Sequence, residues 1–144
     1  MKHFLFILVA AALLSCGATG STAAQTTSET NKTLDTLFGS HADYQQFFDK
    51  LQRAVGASDK QTVASMVDYP FRARINGKAV KLNDAAHFVA DYDKIITAKI
   101  KQAIAKQTYP TLFANWQGVA IGDGEVWFSG VGDGNTVKIT AIND

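Results

Sequence analysis

The sequence predicts an α+β domain, with helices packed to one side of an antiparallel sheet. Two observations carry this. Apolar residues recur at spacings of three and four between residues 43 and 67, and again between 88 and 106. The dipeptides Asn76-Gly77, Asp123-Gly124 and Asp133-Gly134 punctuate segments of alternating character, as tight hairpin turns do. The resulting order is helix, helix, hairpin, helices, then a three-strand meander. Helices grouped beside antiparallel strands define this class.

Each element has a local reason. From Asp43 to Val55, the residues Tyr44, Phe47, Phe48, Leu51 and Val55 form one apolar stripe. Ser40 is the expected cap and Gly56 the expected end. A shorter helix is expected over Asp59 to Val67, with Val63, Met66 and Val67 inward and Tyr69-Pro70 as the stop. From Phe71 to Leu82 the period becomes two: Phe71, Ala73 and Ile75 alternate with Arg72 and Arg74, and Asn76-Gly77 turns the chain. Asn83 is the expected cap of the next helical stretch. That stretch runs from Phe88 to about Lys106, as one helix or as two pieces broken near Thr97. Thr111 to Ile121, Glu125 to Val131 and Asn135 to Ile142 read as three strands. In the middle one, Val126 and Phe128 share one face, while Glu125, Trp127 and Ser129 share the other. In the last, Val137, Ile139 and Ala141 oppose Lys138 and Thr140.

The first sixteen residues have a different character. Lys2 supplies a positive start and Phe4 to Leu14 is an unbroken apolar run, the pattern of an export signal too short to span a bilayer. Leu13, Ser15 and Cys16, the chain's one cysteine, resemble a bacterial lipobox, with Leu14 as a mild departure. The resemblance implies cleavage before Cys16 and its acylation. Gly17, rather than an aspartate, implies the outer membrane and an address on the periplasmic side of the cell envelope. The alternative is ordinary cleavage near Thr22-Ala23-Ala24, releasing a soluble periplasmic protein. Residues 17–38 are rich in Ser, Thr, Ala and Gly over most of their length, and read as a flexible tether without a fixed fold. The folded domain is expected over 39–144.

An apolar fraction of 47% suffices for one core. A formal net charge of +1 with no basic stripe argues against nucleic acid. His41 and His87 lack a ligand spacing, so no metal site is expected, and no phosphate-binding, dinucleotide or nucleophile-elbow motif is present. No cofactor is implied.

Over residues 40–142, the element order and three segments resemble the NTF2-like superfamily of cystatin-like folds. The segments are Val67-Asp68-Tyr69-Pro70-Phe71, Phe88-Val89-Ala90-Asp91-Tyr92-Asp93 and Gly122-Asp123-Gly124-Glu125-Val126-Trp127-Phe128. They look like small exported bacterial members without an assigned function. The resemblance implies a strongly curved sheet wrapped around helices with a cavity beneath it. It carries no chemistry by itself.

Three site readings follow. A ligand pocket would draw on Tyr69, Phe71, Tyr92, Trp116, Trp127 and Phe128 as apolar lining, with Arg72, Arg74, Asp91 and Asp93 as polar points. Its occupant would be a small apolar molecule or a peptide of an envelope protein. The competing view makes the aromatics plain core and the arginines a solvated strand face. Isomerase- or cyclase-type proton transfer, implied by the superfamily, needs a carboxylate or imidazole in a dry pocket. The residues available are Asp68, Asp91, Asp93, Glu125 and His87. None matches a catalytic pattern, and the non-catalytic reading is preferred. Thirdly, the outward Trp127 calls for cover from helices or from a second copy in a homodimer.

Overall fold

The computed structural model describes residues 25–144, and its first element stands where a tether was expected. Helix α1 spans Thr27–Phe38. It begins in a capping box: the Glu29 amide donates to Thr26 Oγ1 at 3.2 Å, and the Thr26 amide donates to Glu29 Oε2 at 2.7 Å. Gly39 closes it in the left-handed region at φ 82°. Only Thr30 and Leu34 are buried. Two long-range bonds pin the helix: Thr30 Oγ1 to the Pro110 carbonyl at 3.0 Å, and Tyr109 Oη to Asn31 Oδ1 at 2.7 Å. The flexible-tether expectation is therefore corrected over 27–38. Caps and tertiary bonds supply what composition lacks. The expected signal segment and Cys16 lie outside the described residues.

Helix α2 spans His41–Gly56 and buries Tyr44, Phe47, Phe48, Leu51, Ala54 and Val55. Ser40 occupies the cap position without a side-chain bond; Asp35 Oδ1 takes the His41 amide instead, at 2.7 Å. Helix α3, Lys60–Ser65, is capped by Asp59 through the Thr62 amide at 3.1 Å. It stops two residues before Val67. Met66 and Asp68 bond to Ile139, at 2.7 and 3.0 Å, and Val67 forms a parallel bridge with it.

Strands β1 (Phe71–Ile75) and β2 (Lys78–Leu82) pair antiparallel in the register Phe71↔Leu82 to Ile75↔Lys78. Asn76 and Gly77 both have positive φ, 51° and 75°, the type I′ geometry that matches strand twist. Helix α4 (Ala85–Ala90) is capped by Asp84, not Asn83. Helix α5 (Tyr92–Ile95) follows a break at Asp91, and α6 (Ala98–Lys106) starts at a Thr97 cap. A single 3₁₀ turn, Tyr109–Thr111, leads into the second sheet.

The meander has four strands, in the order β3-β4-β5-β6: Phe113–Asn115, Gly118–Ile121, Val126–Val131 and Thr136–Ile142. The strand expected from Thr111 to Ile121 is broken at Trp116-Gln117, where Asn115 Oδ1 accepts the Gln117 amide at 2.8 Å. The β1–β2 hairpin is a separate two-stranded sheet lying against β6. A register shift falls at Trp127/Phe128, where Trp127 pairs with Ala141 and Phe128 with Ile139. Thr140 is the extra residue. Ala141 is thereby moved to the outer face and Ile142 joins Ile139 inside, correcting the expected alternation of this strand.

Val119, Ile121, Val126 and Phe128 face inward and are fully buried. The Phe47 ring stacks on Phe128 at 5.0 Å. With Ile100 and Ile104 of α6 and Phe88 they form one contiguous core. The whole is an α+β fold of helices with two antiparallel sheets.

Candidate functional site

The residues expected to line one pocket are not brought together. Phe71 and Tyr92 are core residues on either side of Phe88, each edge-on to its ring at 6.2 Å. Tyr69 is half-buried and its hydroxyl donates to the Ala64 carbonyl at 2.8 Å. Burial, aided by Asp84, pushes its pKa up to about 12. Arg72 and Arg74 point out of the hairpin into solvent. Trp116 stands at the β3–β4 turn, 81% exposed, and Trp127 lies on the outer face of β5. Beneath the sheets, Phe71, Phe88, Tyr92, Val119, Ile121, Val126 and Phe128 are buried in one contiguous cluster.

The expected acid–base groups sit at the surface. Asp93 pairs with Lys60 at 2.6 Å, and that hydrogen bond holds its carboxyl below the ordinary range. Asp91 pairs with Lys94 at 2.9 Å, and His87 with Asp84 at 2.7 Å. Asp68 is exposed. Glu125 Oε2 accepts the Asp123 amide at 2.6 Å and braces a turn. Tyr92 is the exception among buried polar groups: its hydroxyl has no hydrogen-bond partner, and Lys60 Nζ lies 5.4 Å from its ring centroid. Burial, then Asp93 and Asp59, raise its pKa. Among the described residues, no group of His, Cys, Asp and Glu is placed to hold a metal ion.

The outer face of the four-stranded sheet does gather residues. The pairings Phe113↔Ala120, Ala120↔Trp127 and Trp127↔Ala141 set one row straight across all four strands. Large and small side chains alternate along it. Phe113 and Trp127 meet edge-to-face over Ala120, with centroids 6.2 Å apart and planes at 84°. Ala120 is only 3% exposed although it faces away from the main core, because these two rings cover it. Phe113 remains 56% exposed. Close strand contact supports the row: a Cβ at Gly118, φ 143°, would come within 2.7 Å of the Phe128 carbonyl oxygen.

Trp127 also lines a polar cleft of about 550 Å³, together with Lys99, Asp123, Glu125, Asn143 and Asp144. A neighbouring cleft of about 350 Å³ shares Lys99, Asp123 and Glu125 and adds Gln102, Lys106 and Gln107. The β4–β5 turn between them is tied down. Gln107 Oε1 accepts the Gly122 amide and Asn143 Nδ2 donates to the Gly124 carbonyl, both at 2.8 Å. The arrangement suits contact through an apolar ridge with polar groups beside it.

Sequence reasoning found Trp127 and its outward parity but missed Phe113, Ala120 and Ala141. The signal for Phe113 was the Asn115…Gly118 turn pattern, which splits the strand and pairs Phe113 with Ala120. Ala141 had no local signal, because a bulge set its face.

Compared with known proteins, the chain matches no family model, no curated protein and no solved structure. Among the described residues, no helix is long and apolar enough to cross a membrane.

Proposed function

We propose that this chain is an exported, lipid-anchored domain of NTF2-like architecture that binds a protein or peptide partner in the cell envelope and catalyses nothing. The observation that supports it is the aromatic row on the outer face of the four-stranded sheet. Phe113 is exposed and Trp127 only partly covered in the row, and Trp116 is exposed at the β3–β4 turn that follows Phe113. Aromatic clusters left on a surface mark contact sites, because their burial by a partner removes apolar area from water. A small apolar ligand needs enclosure on most of its surface. The row is open, and a polar cleft borders it. A peptide suits both parts, its apolar side chains lying on the rings and its polar groups reaching Lys99, Asn143 and Asp144. The sequence from Lys2 to Cys16 supports export and acylation.

The test places a photo-crosslinking residue at Trp116 in the intact chain, in its native cells. Discrete adducts of the chain with another protein, lost when Trp127→Ala is added, support the reading. An adduct of twice the chain's own mass means that a second copy covers the row, making the domain a structural dimer. Absence of any adduct overturns the contact surface. The mass of the mature N-terminus decides the anchor: an acylated Cys16 supports it, and a start near Gln25 refutes it.

A further inference from the structure

We propose that the outer face of the β1–β2 hairpin docks on anionic phospholipid headgroups, an inference that rests on the envelope placement above. Arg72 and Arg74 are exposed on β1; on β2, Lys81 is exposed directly opposite Arg72, and Lys78 is exposed at the tip. Like charges directly opposite one another across a strand pair are destabilising. Among the described residues, none of these four cations has a carboxylate within ion-pair distance; Lys60, Lys94, Lys99 and Lys101 do, and the other unpaired cations are spread over α1, α2, α6 and β6 rather than set side by side. The inner side of the hairpin, with Phe71, Ala73, Ile75 and Leu82 buried, accounts for its place in the fold. Its outer cations answer to nothing inside the molecule.

Charge is segregated along the chain. Asp68 and Asp84 flank the hairpin and no Asp or Glu lies between them. Of 14 Lys and Arg, four are here and one is Lys2; the other nine share the remaining described residues with all 13 Asp and Glu. The hairpin is thus the basic pole of a domain whose remainder is acidic, although the net charge is close to zero. Strand geometry sets Arg72 and Arg74 about 7 Å apart along β1, with Lys81 about 5 Å across. A ribbon with cations side by side on one face is complementary in charge to an anionic surface. Each Lys or Arg near such a surface adds about fivefold to partitioning, and salt screens the attraction.

The anchor permits this contact without dictating it. The nine steps from Cys16 to Gln25 reach at most about 30 Å. A domain of this size has a radius of gyration of about 14 Å, so that reach matches its width. An acylated chain can turn either end to the bilayer, and the charge asymmetry selects the hairpin.

The experiment uses the full chain purified from membranes. It is reconstituted in phosphatidylcholine vesicles, and in vesicles with a third of the lipid replaced by phosphatidylglycerol. The rate of acetylation of each lysine is read by mass spectrometry. The expected result is that phosphatidylglycerol slows labelling of Lys78 and Lys81 about fivefold, with recovery at high salt and no change at Lys32 or Lys50. Lys81→Glu should restore labelling of Lys78 on phosphatidylglycerol vesicles while raising the melting temperature, because it gives Arg72 an opposite charge. A purely structural hairpin would shift the melting temperature and leave labelling alone. Equal labelling on both vesicles overturns the proposal. Protection by soluble polyphosphate with none from phosphatidylglycerol also overturns it, assigning the patch to a soluble polyanion. The mass of the N-terminal fragment separates the two readings. Protected lysines on an unacylated chain refute the anchor alone, and unprotected lysines on an acylated chain refute the docking alone.

Discussion

The two antiparallel sheets are built alike on the inside and differently on the outside. The β1–β2 hairpin buries Phe71, Ala73 and Ile75, and the β3–β6 meander buries Val119, Ile121, Val126 and Phe128. Outside, the hairpin shows cations without counter-charges, and the meander shows an aromatic row seated on alanines. Folding requires only the inner faces. Outer faces of this kind cost stability or solubility, so they point to contacts with something else. The contrast separates residues that hold the molecule together from residues through which, in the proposed reading, it meets a partner.

The contrast is broken most severely at the inner face. Phe128→Ala removes a fully buried ring stacked on Phe47 and should cost about 3–5 kcal/mol in denaturant unfolding. Trp127→Ala, one residue along on the outer face, should cost about 1.5 kcal/mol or less, since the ring is only partly covered. Equal losses would mean that the outer row is part of the core. Next comes Gly118→Ala. It sets a Cβ against the Phe128 carbonyl at positive φ and should cost about 1–3 kcal/mol, with loss of hydrogen-exchange protection in β3 and β4. Thr26→Ala removes one half of the capping box and should cost about 1 kcal/mol, opening α1 ahead of both sheets in hydrogen exchange.

The smallest effect is on pH. The Tyr69 hydroxyl titrates at about 12 in the fold, against about 10 when unfolded. A raised pKa means that the folded state holds its proton longer. The associated stability is therefore complete below pH 10 and is lost as pH climbs from 10 through 12. Tyr69→Phe should flatten the alkaline limb of a melting-temperature profile. An unchanged slope would show that Tyr69 does not ionise late.

Much of the architecture was legible locally. The α2 stripe, the Asn76-Gly77 turn and the Thr97 cap each depend on residues within one turn of each other, and all three stand in the structure. Errors arose where distant groups decided. Helix α1 has too few apolar residues to announce itself, and holds through Pro110 and Tyr109, far along the chain. Helix α3 ends early because residues 66–68 find β6. The site was read less well than the fold. Aromatic type marked Tyr69, Phe71, Tyr92, Trp116 and Trp127 as important without saying which faced in. Phe71 and Tyr92 went to the core, while Trp116 and Trp127 went to the outer surface.

What the sequence determined alone is the class of fold, most turns and the inward side of each strand that keeps strict alternation. These follow from periodicity and from dipeptides with only a few allowed backbone shapes. The cross-strand row on the outer face and the docking of α1 were left to tertiary structure. Register, a one-residue bulge and side-chain bonds between remote segments set which residues become neighbours, and no short window of sequence contains both partners.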